Sequence, residues 1–274
     1  MKKFIWVLLS LLAVLYQLNG YRKVGITTPY GEVFLPLKDK KRIEYLFREL
    51  IIYHAAGYTL LGNKPVSFEC VSKPVCKMDL LLLWHTFFPS NLKRYYAWKT
   101  WQKYEHLFNK GNFLIWSEPS PWIENGELIV IANNHQVKQI LQKHERDFAL
   151  LKNLETKVLF KESLQSHDGL LGILLGYGRT NSWLFYEKKN AQLKSAFSDE
   201  INQLFENKKS ALNFTLGWPI VGMAEILMYP TFMADTNTEE TKKLKSDYLD
   251  TREKILDYYK DKDFLEATLQ LLAK

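Results

Sequence analysis

His167 and Asp168 open the segment Ser166 to Trp183, in which Gly169, Gly172, Gly176 and Gly178 precede Arg179, Thr180 and Asn181. Imidazole and carboxylate groups move protons near neutral pH, and a glycine turn that ends in arginine offers backbone N–H groups and a guanidinium to an anion. The segment therefore reads in two ways. In one, His167 and Asp168 stand at the mouth of a helix as weak catalytic candidates, and Tyr177, Gly178, Arg179 and Asn181 form a binding turn. In the other, Gly172 and Gly176, four apart, share a helix face and admit a neighbouring helix close to the backbone. The segment is not a Walker loop, because no Gly-Lys-Ser/Thr follows, nor a dinucleotide fingerprint, because the glycine spacing fails. Neighbours in sequence do not face each other on a helix, which weakens a His167–Asp168 pair.

Glu225 is the second candidate for proton transfer, the one charged residue in the apolar stretch Ala211 to Ala234. Burial there would raise its pKa toward values useful for proton transfer, whereas a solvent-facing carboxylate would be ordinary. Pro219, Pro230 and Glu225 interrupt the stretch and argue against a membrane span. The chain contains no Gly-x-Ser-x-Gly elbow, His-Glu-x-x-His helix or EF-hand loop. Its 6 histidines share no metal-ligand spacing, so neither a metal nor a cofactor is expected. His54 lies on an apolar helical stripe and reads as a core or edge histidine.

The N-terminus bears on where such chemistry would operate. Lys2 and Lys3 precede an uncharged run from Phe4 to Leu18, the layout of a secretory signal. That run is short for a spanning helix, which needs roughly 20 apolar residues. Residues 1–20 are therefore expected to be a signal peptide or an uncleaved membrane anchor, and the protein to be exported: periplasmic, membrane-anchored or secreted. Export would let Cys70 and Cys76, the only 2 cysteines, form a local disulfide. The formal net charge of +7 includes both leader lysines, and basic and acidic residues alternate along the body, so nucleic acid is not an expected partner. An unknown protein or envelope component is, with membrane association through a retained leader.

The elements that must position these groups are mostly helical. Val24–Thr28 and Glu32–Leu37 flank Pro29-Tyr30-Gly31 as a small hairpin or an extended arm, and a helix runs from an Asp39 cap through Ile43, Leu46, Phe47, Leu50 and Ile51 to Gly57. Tyr58–Leu61 and Val66–Cys70 around Gly62-Asn63-Lys64-Pro65 suggest a second hairpin. Helices follow over Met78–Phe88 and from Ser90 to near Gly111, the latter with Ala97, Trp101, Tyr104 and Phe108 on one face and its cations scattered. Asn112–Trp116 and Leu128–Ala132 read as strands with an Asn125-Gly126 turn. Helical patterns resume at Asn133 or Asn134, at Thr156–Gln165 and at Asn190–Lys209. Two C-terminal helices have capping-box spacing at Asn237/Glu240 and Asp263/Glu266. The expected class is α+β, predominantly α-helical with a few short strands or hairpins in the N-terminal half, in a single domain over 21–274.

At Gly57 followed by Tyr58-Thr-Leu-Leu-Gly-Asn-Lys-Pro65, and at Leu170-Leu-Gly-Ile-Leu-Leu-Gly-Tyr-Gly178, the chain resembles uncharacterised exported proteins of intracellular bacteria. The resemblance implies a bacterial envelope or secreted setting and carries no activity or site residue with it. With 8 Trp, 15 Tyr and 16 Phe available for contacts and no catalytic motif, the leading expectation is an envelope or secreted binding protein. The alternative is a metal-independent envelope hydrolase or transferase that uses His167 to Asn181, with Arg179 holding an anionic group. N-terminal sequencing of the mature protein is expected to begin near Tyr21; an intact Met1 in the membrane fraction would instead establish an anchor.

Overall fold

The structure is a computed structural model that describes residues 22–73, 89–149, 151, 153–192, 227–230, 232, 234–235 and 237–274. Lys23–Thr28 (β1) and Gly31–Pro36 (β2) pair antiparallel, Thr28 opposite Gly31, as the turn residues Pro29 and Tyr30 foretold. Leu37–Tyr53 (α1) follows directly. Asp39 sits inside its first turn, and Pro36, which occupies the N-cap, has no side-chain oxygen to cap with. The apolar stripe is as read: Ile43, Leu46, Phe47, Leu50 and Ile51 are all buried.

The helix does not reach Gly57. Ala55 adopts φ +60, a left-handed conformation that breaks the helical path and starts a second short helix, Ala56–Leu61 (α2). Tyr58 to Leu61 is thus helical, not the first strand of a hairpin. Val66–Ser72 (β3) is a strand, but its partner is distant in sequence. Pro89–Tyr104 (α3) leads through a short 3-10 turn, Glu105–Leu107, to Phe113–Pro119 (β4) and Gly126–Asn133 (β5). The expected helix over Met78–Phe88 lies outside the described residues.

Strand β5 runs antiparallel between β3 and β4, with Val130 opposite both Phe68 and Trp116. Asn125 at φ +57 closes the turn that the Asn-Gly pair marked. Side chains alternate across a strand, and both faces of β5 are covered. Ile129 and Ile131 enter one apolar cluster with Val71, Phe113 and Ile115, while Leu128, Val130 and Ala132 enter another with Val66 and Trp116.

The first cluster is closed by α1, α2 and α3 and by two C-terminal helices, Glu239–Tyr259 (α9) and Phe264–Leu272 (α10). The second is closed by Asn134–Lys143 (α4), Glu145–Phe148 (α5), Thr156–Ser166 (α6) and Asp168–Leu174 (α7). Arg179–Gln192 (α8) packs outside α7. Helices and a few short antiparallel strands make the fold α+β and mostly helical, as expected. Among the described residues, no helix is long and apolar enough to cross a membrane. The leader, residues 211–226 and most of the Asn190–Lys209 pattern lie outside the described residues.

Caps fix several of these helices. Asn133 accepts from the N–H groups of His135 and Gln136 at 3.1 and 3.2 Å, and Asp263 accepts from Glu266 at 3.0 Å. For α9 the cap is Thr238, which accepts from Thr241 at 3.2 Å, one residue after the Asn237 expected to do so.

Trp101 shows how tightly the first cluster is packed. Its ring meets Phe47 edge-on at 4.9 Å and stacks on Phe108 at 5.5 Å, with no solvent exposure. Trp101→Ala is expected to lose about 3–5 kcal/mol in equilibrium denaturation. Leu249→Ala on the exposed side of α9 is expected to change stability by less than about 0.5 kcal/mol.

Candidate functional site

The break at Ala55, the start of β3 and the turn after α7 meet around a partly open cavity of about 170 Å³. Its lining includes Tyr53 and His54 from the end of α1, Lys64 before β3, Phe68 on β3, Tyr177, and Tyr229. The void is close in size to the ~150 Å³ that admits benzene in an engineered core, and smaller than pockets for drug-sized ligands.

Each wall has a local cause. The carbonyl of Ala55 accepts from Tyr58 N–H at 3.1 Å and from the Ser67 hydroxyl at 3.0 Å, so the strained residue is held from both α2 and β3. Ser67 also bonds Thr59 at 2.7 Å. Gly176 at φ +75 turns the chain against Pro65, where a Cβ would stand 2.8 Å from the proline Cδ. Its carbonyl accepts from Tyr248 on α9 at 3.0 Å.

Lys64 is the unusual group. The residue is 3% exposed. Its ammonium donates to the carbonyl of Leu175 and lies 4.4 Å from the centroid of the Tyr177 ring. Burial lowers its pKa from 10.5 to about 7, and no carboxylate among the described residues offsets that effect. The same burial pushes Tyr177 up to about 12, and Tyr177 stacks on Phe232 at 4.5 Å.

Beside the cavity, His54, Glu69, Arg94 and Glu49 form a half-buried polar network. His54 Nδ1 is 2.6 Å from Glu69, and Arg94 Nη1 reaches both His54 Nε2 at 3.0 Å and Glu69 at 2.5 Å. A guanidinium only donates, so His54 accepts at Nε2 and donates from Nδ1. Its accepting nitrogen is therefore occupied. Burial raises Glu49, partly offset by Arg94, and burial with Glu49 pushes Tyr45 up to about 12. His54 is thus a satisfied edge histidine, as its place on the stripe suggested.

The segment from His167 to Asn181 has the expected outline. His167 precedes α7, and Gly176 and Gly178, at φ +75 and +84, form the turn before α8. Its side chains are largely engaged by the protein. Asp168 pairs with Lys189, and Arg179 forms a two-pronged bond to Asp147 at 2.7 and 2.9 Å that holds the carboxyl of Asp147 below its usual value. Glu240 accepts from the backbone N–H groups of Arg179 and Thr180 at 2.8 and 2.9 Å, which places a carboxylate on the start of α8. Asn181, 1% exposed, joins Tyr177, Asp235 and Thr241. Of the proposed binding turn, Tyr177 alone lines the cavity.

The glycines of α7 serve packing, though not as the Gly172–Gly176 pair. A Cβ on Gly169 would meet Trp183 at 2.9 Å and one on Gly172 would meet Ser182 at 2.6 Å, so these two admit α8. Gly176 lies beyond the end of the helix. Glu225 lies outside the described residues, as does Cys76; Cys70 is a half-buried free thiol whose pKa burial raises. Among the described residues, no group of three His, Cys, Asp or Glu is placed to hold a metal.

Sequence reading missed Lys64 because it stands in a turn between Asn63 and Pro65, where a lysine is ordinarily solvated. Its partner Leu175 is 111 residues away. Comparison with protein-family models, curated proteins and solved structures found no match to the chain.

The low pKa of Lys64 links stability to pH. The folded chain releases this proton near pH 7, whereas the unfolded chain holds it to about 10.5, so between those values the unfolded state binds more protons. Folding stability from this group therefore rises with pH across that window and is lost as pH falls back to about 7. Lys64→Met, which removes the buried charge, is expected to gain stability relative to wild type at acid pH. That advantage should shrink between pH 7 and 10 by up to about 1.4 kcal/mol per unit, read from denaturation midpoints. A constant difference would refute a titrating buried amine.

Proposed function

We propose that this chain is an exported binding protein whose ligand is a compact, benzene-sized molecule bearing a carbonyl or carboxyl oxygen. The observation that carries the reading is Lys64: a buried lysine in the lining of a cavity, its amine without a carboxylate partner among the described residues. Burying a charge is unfavourable unless it is paired, and a ligand carboxylate would supply the counter-charge that the Leu175 carbonyl does not. The aromatic residues Tyr53, Phe68, Tyr177 and Tyr229 in the lining suit a planar body with a polar edge. The leader motivates export, and its hydrophobic run together with the resemblance noted above favours a bacterial envelope or secreted setting.

Catalysis by the His167–Asn181 segment has less behind it. Arg179 and Asp168 already have opposite charges, Asn181 is buried in a structural network, and His54 next to the cavity accepts from Arg94.

Benzoate, benzamide and benzyl alcohol are suitable probes for calorimetric titration. Benzoate is expected to bind one to one at pH 6 and to weaken roughly tenfold or more by pH 9, because the ammonium that pairs with it is lost. Lys64→Met should abolish that pH dependence and most of the affinity. Failure of all three probes to bind, or equal benzoate binding by Lys64→Met, would overturn the reading.

A further inference from the structure

We propose that Lys64 is a covalent capture site: its side-chain amine condenses reversibly with the carbonyl carbon of a small aldehyde held in the cavity. This deepens the reading of the cavity as a small-ligand site and rests on it. The geometry supplies three requirements. Lys64 lines a void large enough for an aromatic aldehyde, and Tyr53, Phe68, Tyr177 and Tyr229 line the same void. Lys64 as a residue is 3% exposed, which limits competing bulk water and excludes large electrophiles. Its described polar contacts are a backbone carbonyl and the face of a neutral tyrosine, neither of which is a fixed counter-charge that would hold the proton on the amine.

Among the described residues, few titratable groups face the cavity. His54 and Tyr53 come from α1, Tyr177 from the turn after α7 and Tyr229 from the segment 227–230; Glu69 on β3 is engaged by His54 and Arg94. Burial leaves a large share of Lys64 neutral near pH 7, whereas an ordinary lysine is almost wholly protonated there. In the reaction, the amine lone pair forms a C–N bond to the carbonyl carbon and the carbonyl oxygen takes up a proton. The nitrogen gives up both of its protons, the oxygen takes up the second of them and leaves as water, and a C=N bond remains. Addition of water reverses each step, and neither oxidant nor reductant takes part.

The test uses the full chain, benzaldehyde as probe and cyanoborohydride to trap the imine as a benzyl amine. Intact mass and peptide mapping are expected to show one benzyl group on Lys64. It should form faster than any other lysine adduct by roughly tenfold or more at pH 7, the advantage narrowing as pH rises toward the ordinary lysine range. Lys64→Arg, which keeps a cation but has no condensing amine, should lose the adduct; its circular dichroism spectrum and denaturation midpoint establish that it is folded. Preincubation with benzoate should slow trapping at Lys64 in wild type.

The outcomes separate the two claims. Benzoate binding with no preferential adduct at Lys64 would overturn covalent capture and leave the binding reading standing. A Lys64 adduct that benzoate does not slow, with no binding of any probe, would support a reactive amine and overturn the binding reading. Labelling spread evenly over the lysines or confined to the N-terminal amine would overturn covalent capture.

Discussion

The alternation of side chains along β5 is the constraint on which the rest of the molecule depends. Leu128, Val130 and Ala132 point into one cluster and Ile129 and Ile131 into the other, and all five are 1% exposed or less. A strand buried on both faces cannot slip by one residue without exchanging every side chain between the two cores. Its register thereby fixes β3 on one edge and β4 on the other. It also obliges the chain to supply helices for both faces, which the segments before β3, between β3 and β4, and after β5 do. The N-terminal helices, with α9 and α10, close one side, and α4 to α7 close the other.

The cavity follows from that division. Lys64 stands just before β3, where one cluster gives way to the other: Val66 belongs to the second, while Ser67 and Glu69, on the opposite face, meet Ala55, Thr59, His54 and Arg94. The turn after α7 reaches the same place because α7 must cover Val66, Leu128 and Val130. Two chain reversals, at Ala55 and Gly176, thus converge on one strand end. A left-handed alanine costs on the order of 1 kcal/mol, and its carbonyl's bonds to Ser67 and Tyr58 offset that strain.

How far these features could be read in the sequence depends on their range. The turns at Pro29-Tyr30-Gly31 and Asn125-Gly126, the Asp263 cap and the apolar stripe of α1 are local, and local chemistry specifies them. Tyr58 to Leu61 misled because four residues before a Gly-Asn-Lys-Pro turn carry no clear period, and only packing against α9, where Tyr58 meets Tyr248 at 5.5 Å, decides for helix. Glu240 has capping-box spacing within its own segment, yet its carboxylate caps α8 across a separation of 61 residues. For the site, the glycine segment was legible as a turn between helices, whereas its ion pairs with Asp147 and Lys189 were not. Nothing in the sequence around Lys64 announces that Leu175 and Tyr177 will enclose it.

Two effects oppose each other at Lys64. The Leu175 carbonyl and the Tyr177 ring face both favour the ammonium, and a desolvated cation–π contact is worth about 2 kcal/mol. Loss of hydration acts in the other direction, and a shift of the pKa from 10.5 to about 7 means that it prevails. The remaining balance leaves the amine near the midpoint of its titration in ordinary buffer. A lysine in this position is poorly suited to structural anchoring, because a methionine of similar volume would fill the space without the electrostatic penalty. What an apolar side chain cannot provide is an amine that accepts or gives up a proton in response to what enters the cavity. That property, combined with a void lined by the same residue, is what the proposal of a ligand at this site rests on.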